Sequence, residues 1–399
     1  MSPLAYLIPT SLPIGWTIPQ TDGVAWMKAA LERSSVSGPE ATRARRLYDL
    51  LGRQSTIESR ATALEDYTHQ EWERMDLFAE QSSGDGAPPE ADGGASGARS
   101  WAHPTLEARM DVFAQTAISV AREAFDDAEA PDFIAQVSCT GYDSPTAVQR
   151  IALERGWHNA RLLHIGHMGC YAAVPALMTA ADAVAALAAR RVPASGEADA
   201  APEADAHAAV YLVEMCTLHH RVEATAPEAV VQQCLFADGA ARLDVHAARP
   251  DGRSFALLGH RETLVPDSLN EMTWGLADGA FAMTLSRRVP EFIKAGVGDA
   301  VDAFLSEHGL AVDDIDIAAI HPGGPRVIEV TADALGFSER QTRHSTAVLH
   351  ARGNMSSTTL PHIWERILGD AEVASGALVL SLAFGPGLTI AANLLRVEG

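Results

Sequence analysis

Apolar residues recur along the chain in two rhythms. Leu106, Met110, Phe113, Ala117, Val120 and Ala124 return at spacings of three and four, which predicts a helix over Leu106 to Glu129. Phe133 to Cys139 is a short apolar run and predicts a strand, as do Ala209 to Cys216, Phe255 to Gly259, Asp316 to Ile320 and Leu378 to Ala383. From Cys170 to Arg191 the sequence is Ala-rich. Its Val174, Leu177, Met178, Ala181, Val184 and Leu187 are too numerous for one stripe, so this helix is expected to be buried on most sides. Pro175 sits near its start, where a missing N–H does least harm. Val289 to Leu305 and Pro361 to Leu368 also read as helices. Helices alternating with short apolar strands make the class α/β. A long buried helix between strands suggests a layered α-β-α-β-α sandwich.

Two stretches break the rhythm. Ser82 to Ser100 and Pro193 to Ala206 are built almost wholly of Gly, Ala, Ser, Pro and acidic residues. Neither buries enough apolar surface to offset its ordering entropy, so both read as disordered surface insertions. Met1 to Trp16 carries Pro3, Pro9 and Pro13 and no Lys or Arg, which reads as an opening strand and not as a secretory signal. No apolar run is read as a bilayer span, and the cytoplasm is the expected compartment.

The chain has 399 residues, of which 47% are hydrophobic and 21% charged, enough for one large α/β body or two domains. Its formal net charge of −22 opposes binding to nucleic acid or an anionic membrane. Against that background Arg43, Arg45, Arg46, Arg53 and Arg60 form a local basic cluster, either a docking patch or a solvated helix face. The four cysteines, Cys139, Cys170, Cys216 and Cys234, form no C-x-x-C pair; no metal site is expected and the thiols are expected to be reduced.

Of these, Cys170 has a context that suggests reactivity. It closes the run Gly166-His167-Met168-Gly169-Cys170 ahead of the apolar helix, where the first helical N–H groups favour a thiolate. A thiolate is what acyl transfer through a thioester needs; the competing reading is a small packing residue. His321 opens His-Pro-Gly-Gly-Pro directly after an apolar strand, and strand ends are where α/β proteins place ligands. Asn354, in Gly353-Asn354-Met355-Ser356-Ser357, offers an amide donor to a carbonyl oxygen, or else a helix cap. Phe384-Gly385-Pro386-Gly387-Leu388-Thr389 suits either close approach to a substrate or a tight turn.

Taken together and in order, these motifs resemble the chalcone synthase-like, or type III, polyketide synthases of the thiolase superfamily, which share their fold with the ketosynthase III enzymes. The resemblance runs from about Leu4 to Val397. It includes LEARMD at Leu106, CTGYDSP at Cys139, MGCYAA at Met168, VEMCTLHH at Val213, LFADGAA at Leu235 and PDSLNEMTW at Pro266. It implies a five-layered α-β-α-β-α thiolase fold of two similar halves, 1–240 carrying the nucleophile and 241–399 carrying His and Asn. It further implies that Cys170 takes the acyl chain while His321 and Asn354 form an oxyanion hole, with His321 keeping Cys170 as thiolate. Cys139, Tyr142, His220, Trp274, Met283, Gly385, Pro386 and Gly387 would line the substrate site. The implied enzyme is a homodimer with the segment Gly141 to Pro145 near the partner chain. It has no permanently bound cofactor, and its substrates arrive on phosphopantetheine.

The departures from the plant pattern bear on substrate. Leu47, Leu50 and Gln54 fall where relatives hold the phosphates of coenzyme A with basic side chains. His220 and Met283 replace two gatekeeping phenylalanines, and Trp274 fills a position that is small in plant enzymes. These changes resemble the stand-alone ketosynthases of the myxopyronin and corallopyronin pathways. Those join two carrier-bound β-keto chains and lactonise the product to an α-pyrone in antibiotic biosynthesis. On that reading an acyl carrier protein is the partner, docking on Arg43, Arg45, Arg46 and Arg53. The alternatives are an iterative synthase making alkylpyrones or alkylresorcinols from acyl and malonyl thioesters, and a catalytically silent chain-binding subunit.

Overall fold

The computed structural model describes residues 2–34, 36–78, 80–81, 100–101, 104–126, 129–191 and 206–399. Both expected surface insertions lie almost wholly outside the described residues. The chain opens with β1 (Ala5–Leu12), β2 (Trp16–Pro19), α1 (Gln20–Arg33), α2 (Gly38–Gln54), β3 (Ser59–Thr62) and the short pair β4 (Glu80–Gln81) and β5 (Ser100–Trp101). It continues through α3 (Leu106–Ala124), β6 (Phe133–Ser138), α4 (Ala147–Glu154), β7 (Arg161–Gly166), α5 (Ala173–Arg191), β8 (His207–Met215), α6 (Pro227–Leu235) and β9 (Asp238–His246). Next come β10 (Ser254–Leu264), β11 (Met272–Ala277), β12 (Ala280–Leu285), α7 (Val289–Glu307) and β13 (Ile317–Ile320). The last elements are α8 (Pro325–Leu335), α9 (Glu339–Arg352), α10 (Thr359–Leu368), β14 (Leu378–Gly385) and β15 (Thr389–Glu398).

Nine strands hydrogen-bond in the order β13-β14-β15-β10-β1-β9-β8-β6-β7. Outward from the central antiparallel pair β1·β10, the two wings follow one rule. β9 and β8 join β1 antiparallel in turn, and β6 and then β7 join parallel. β15 and β14 likewise join β10 antiparallel, and β13 joins parallel. The chain therefore builds the same half-sheet twice, with one fewer strand in the second.

Alternation along each strand sorts its side chains into layers. Ala208, Val210 and Leu212 of β8, with Ile317 and Ala319 of β13, face a central cluster that contains Val174 and Leu177 of α5 and Ile363 and Trp364 of α10. Ala209, Tyr211 and Val213 face the opposite way, against Trp26 of α1, Phe113 of α3 and Val148 of α4. Ala318 and Ile320 face Ile293 and Phe304 of α7 and Leu349 of α9. Helices thus lie outside each half-sheet and between them, which is the α-β-α-β-α arrangement of the thiolase fold.

The helix α5 departs from expectation at both ends. It starts at Ala173, not at Cys170, because residues 170–172 form a turn in which Ala172 N donates to the Gly169 carbonyl at 3.1 Å. Its buried residues end at Val184, so the last two turns are partly exposed, not buried on most sides. By length and composition alone α5 could cross a membrane, but its N-terminal half is packed in the central layer.

Candidate active site

Three loops at strand and helix ends carry the candidate residues. Cys170 stands in the turn between β7 and α5. Gly169 precedes it at φ 83°, a conformation that L side chains rarely adopt, and a Cβ there would stand 3.0 Å from Pro386 Cδ. His321 follows β13, and its backbone N–H donates to the Leu382 carbonyl at 2.7 Å. Asn354 follows α9. Its N–H donates to the Leu235 carbonyl at 3.0 Å and its carbonyl accepts from Ala237 N at 2.8 Å, a single bridge that ties it to the end of α6.

Two cavities meet at Cys170. One, of about 700 Å³, has the buried Cys170, His321 and Asn354 at one end and the exposed Gln54, Arg287 and Arg326 at the other. The second, of about 360 Å³, is lined by Cys139, Cys216, His220, Trp274, Phe281 and Pro386, and reaches exposed residues at Arg221 and Ala226. Gln232, Phe236, Met272 and Met283 line both, so they form the partition around Cys170.

Burial governs the charges here. It pushes the Cys170 thiol up to about 12, against hydrogen bonds from Ser356 and Asn354 that act the other way. It pushes His321 down to about 3. Burial therefore favours a thiol and a neutral imidazole over the expected thiolate: Cys170 lies just ahead of the helix, where desolvation outweighs the helix start. Both ring nitrogens of His321 lack a protein partner, although its side chain is buried. Buried polar atoms left unpaired are costly, so this imidazole is poised for a ligand. The Asn354 amide is oriented too. Its Oδ1 accepts from Ser356 N at 2.9 Å, which leaves Nδ2 as donor on the Cys170 side. This is a local turn; Asn354 is not the cap of α10, which begins five residues later at Thr359.

The other predicted residues divide. Cys139, His220, Trp274, Met283 and Pro386 line the second cavity, and Met283 stands on the partition. Trp274 is fixed by Nε1 donating to the Cys139 carbonyl at 2.6 Å. His220 is fixed by a 2.9 Å bond to the Tyr67 hydroxyl. Tyr142, Gly385 and Gly387 line neither cavity. Tyr142 is 44% exposed beside His164 and His167. Gly385 has a packing reason, since a Cβ would fall 2.0 Å from the Tyr171 ring, and Gly387 closes the following turn at φ 83°. On α2, Leu47 and Gln54 line the larger cavity while Leu50 is exposed. None of Arg43, Arg45, Arg46 and Arg53 lines it. Arg60 leaves the cluster altogether: it is buried in β3 and donates to Gln20 Oε1 and to the carbonyls of Gln233 and Phe236.

Two residues were not read from the sequence as part of the site. Ser356, at φ 53°, places its hydroxyl 3.1 Å from Cys139 Sγ and bonds Cys170 as well. Glu214 is fully buried behind Cys139, accepting from Cys139 N at 3.0 Å, from the Thr140 hydroxyl at 2.9 Å and from Ser357; burial raises its carboxyl above the usual range. The glutamate inside an apolar strand, VYLVEMC, was the available signal.

Comparison with known proteins meets this geometry. Residues 257–398 match the C-terminal domain of chalcone and stilbene synthases. The α-pyrone synthesis polyketide synthase-like protein of Mycobacterium tuberculosis is 29% identical over 307 residues, 73% of this chain and 74% of that one. The 1,3,6,8-tetrahydroxynaphthalene synthase of Streptomyces griseus is 28% identical over 300 residues, 72% of this chain and 75% of that one. Among solved structures, PKS-I of the brown alga Ectocarpus siliculosus superposes with a TM-score of 0.77 at 25% identity, covering 98% of each chain. The chain is thus similar to the chalcone synthase-like, type III polyketide synthases. These similarities make condensing, acyl-transferring chemistry the reaction class for the two-cavity site at Cys170.

Proposed function

We propose that this protein acts as a type III polyketide synthase: it loads an acyl group onto Cys170, extends it by decarboxylative Claisen condensation with malonyl thioesters, and closes the chain to a pyrone or resorcinol-type ring. The observation that carries the reading is the convergence of Cys170, His321 and Asn354 on one buried cavity. The relatives named for α-pyrone synthesis and tetrahydroxynaphthalene synthesis support it.

The chemistry follows from the burial. Thiol and imidazole each resist charge alone, but an adjacent thiolate and imidazolium compensate one another, so proton transfer from Cys170 to His321 is available when substrate arrives. Cys170 sulfur then attacks the thioester carbonyl, and the donor thiol leaves with the proton. A malonyl thioester next loses carbon dioxide, and its enolate oxygen accepts from His321 and Asn354 Nδ2, two neutral donors aimed at one oxygen. The enolate carbon bonds the acyl carbon, and the Cys170 C–S bond breaks. Ring closure by an enol oxygen on the last thioester releases the thiol and gives the lactone.

A second reading is joining of two carrier-bound β-keto chains without malonyl extension. One specific observation favours it: both cavities reach exposed residues, so two chains could approach Cys170 from different sides. Intact-protein mass spectrometry with acyl donors, on the native protein and on Cys170→Ala, tests the common core. Thiol-to-methyl is a small change in volume, so the variant should fold and carry no adduct. A persisting adduct overturns the assignment, and no adduct on the native protein favours a silent subunit. Product that forms only with malonyl donor selects the iterative reading; product without it selects chain joining. We also take the protein as a cytoplasmic homodimer. The edge strand β7, with Leu162 and Leu163 38% and 40% exposed beside Tyr142, is the surface that a second copy would cover.

A further inference from the structure

The larger cavity has walls of unequal character at its mouth. On the α2 side it is lined by Leu47, Leu51 and Gln54, which carry no charge. The cavity is also lined by Glu228, by Arg287, two residues before α7, and by Arg326 in the first turn of α8. The two arginines are its lining cations, in a chain of formal net charge −22. Arg287 gives Nε and Nη2 to Glu228, and Arg326 gives Nη1 to Glu329. Nη1 of Arg287 and Nε and Nη2 of Arg326 have no partner among the described residues. The ion pairs hold the guanidiniums at the rim and leave donors over. Val289 and Pro290 of α7, with Gly324 and Pro325 at the start of α8, line the same cavity, so the positive ends of both helices add to the field.

We propose that Arg287 and Arg326 form a phosphate clamp at the tunnel mouth, taking the phosphodiester end of a phosphopantetheine arm whose thioester reaches Cys170. This rests on the thioester reading of the site and relocates the handle: the cations face the arm from the α7–α8 rim and not from α2. Guanidinium forks match phosphate geometry, and the neutral, largely apolar wall between mouth and Cys170 suits the uncharged pantetheine stem.

Calorimetry with the whole protein provides a test independent of turnover. The probes are 4′-phosphopantetheine and pantetheine, which differ by the phosphate alone. The native protein should prefer the phosphorylated probe, and R287Q/R326Q, two changes at exposed positions, should lose about 10- to 100-fold of that preference. R43Q/R46Q should keep it. No preference in the native protein, an unchanged preference in R287Q/R326Q, or loss in R43Q/R46Q instead each overturns the clamp. Matched acyl groups on coenzyme A, on a carrier and on pantetheine then separate the sources by KM. A KM rise confined to the coenzyme A donor assigns the clamp to the free nucleotide; a rise for both phosphate-bearing donors assigns it to their shared phosphodiester. A rise of equal size for pantetheine as well overturns it. Failure of every donor to acylate Cys170 would refute the condensing reading while the calorimetric comparison still stood.

Discussion

Ser356 is the residue whose removal most directly tests how the site makes a nucleophile. Burial pushes the Cys170 thiol up to about 12. At pH 8 about one thiol in 10⁴ is then ionised. Hydrogen bonds from Ser356, from Asn354 and from the Cys170 backbone lower it. A hydrogen bond to a charged group contributes about 1.5–3 kcal/mol, so Ser356→Ala should reduce the thiolate population about 10- to 100-fold. The loop should survive, because the Ser356 N–H to Asn354 Oδ1 bond is a backbone donor that alanine keeps. The assay is the rate of carboxamidomethylation of Cys170 by iodoacetamide against pH, followed by peptide mapping so that Cys139, which also bonds Ser356, is counted separately. The alkylation rate should fall at every pH below 10 and its midpoint should move up. An S356A protein that alkylates at the native rate would refute the claim that this hydroxyl supports the thiolate.

Further outcomes follow from the same structure. Asn354→Ala should cost condensation about 10²–10³-fold and loading less, since oxyanion donors act where charge develops; separate loading and product assays decide it, and native product rates would reduce Asn354 to a turn residue. Trp364 is fully buried between the half-sheets, with Nε1 on Ser381 Oγ at 2.9 Å. Trp364→Ala should therefore lower stability by about 3–5 kcal/mol in urea titration, and a midpoint close to native would mean that the central layer collapses around the cavity. Acid should destabilise the fold. Burial lowers His321 to about 3, His219, His344 and His362 to about 4, and His220 well below its usual range. Below pH 6.5 the unfolded chain binds these protons and the folded chain does not. The stability they confer is full above pH 6.5 and is lost as pH falls toward 4. Glu214 and Asp238, raised by burial, oppose this. The histidines outnumber these carboxyls, so urea midpoints should fall as pH drops from 6 toward 4, and midpoints that do not change over that range would contradict it.

The sequence by itself determined the α/β class, the likeness to type III polyketide synthases, and the choice of Cys170, His321 and Asn354 as candidates, which the structure brings to one cavity. These are legible because they sit in short motifs whose glycines and prolines are local requirements: the turn at Gly169, the strand end at His321, the bridge at Asn354. The regular elements were equally legible, since Phe133–Ser138, His207–Met215 and Val289–Glu307 are each written in their own periodicity. What the motifs do electrostatically was not legible. The expected thiolate became a thiol because desolvation depends on everything packed around a residue, and that comes from chain segments more than a hundred positions apart. Arg60 reads as one more arginine of a surface cluster until β3 carries it beneath α6, where three acceptors need its donors. Tyr142 and Gly385 belong to the motifs yet line neither cavity, because a motif fixes backbone and not which side faces the void. The partition at Met283, the buried Glu214, and the cations at the tunnel mouth exist only once the two half-sheets are placed against each other; contact between distant segments, which no local pattern encodes, decided them.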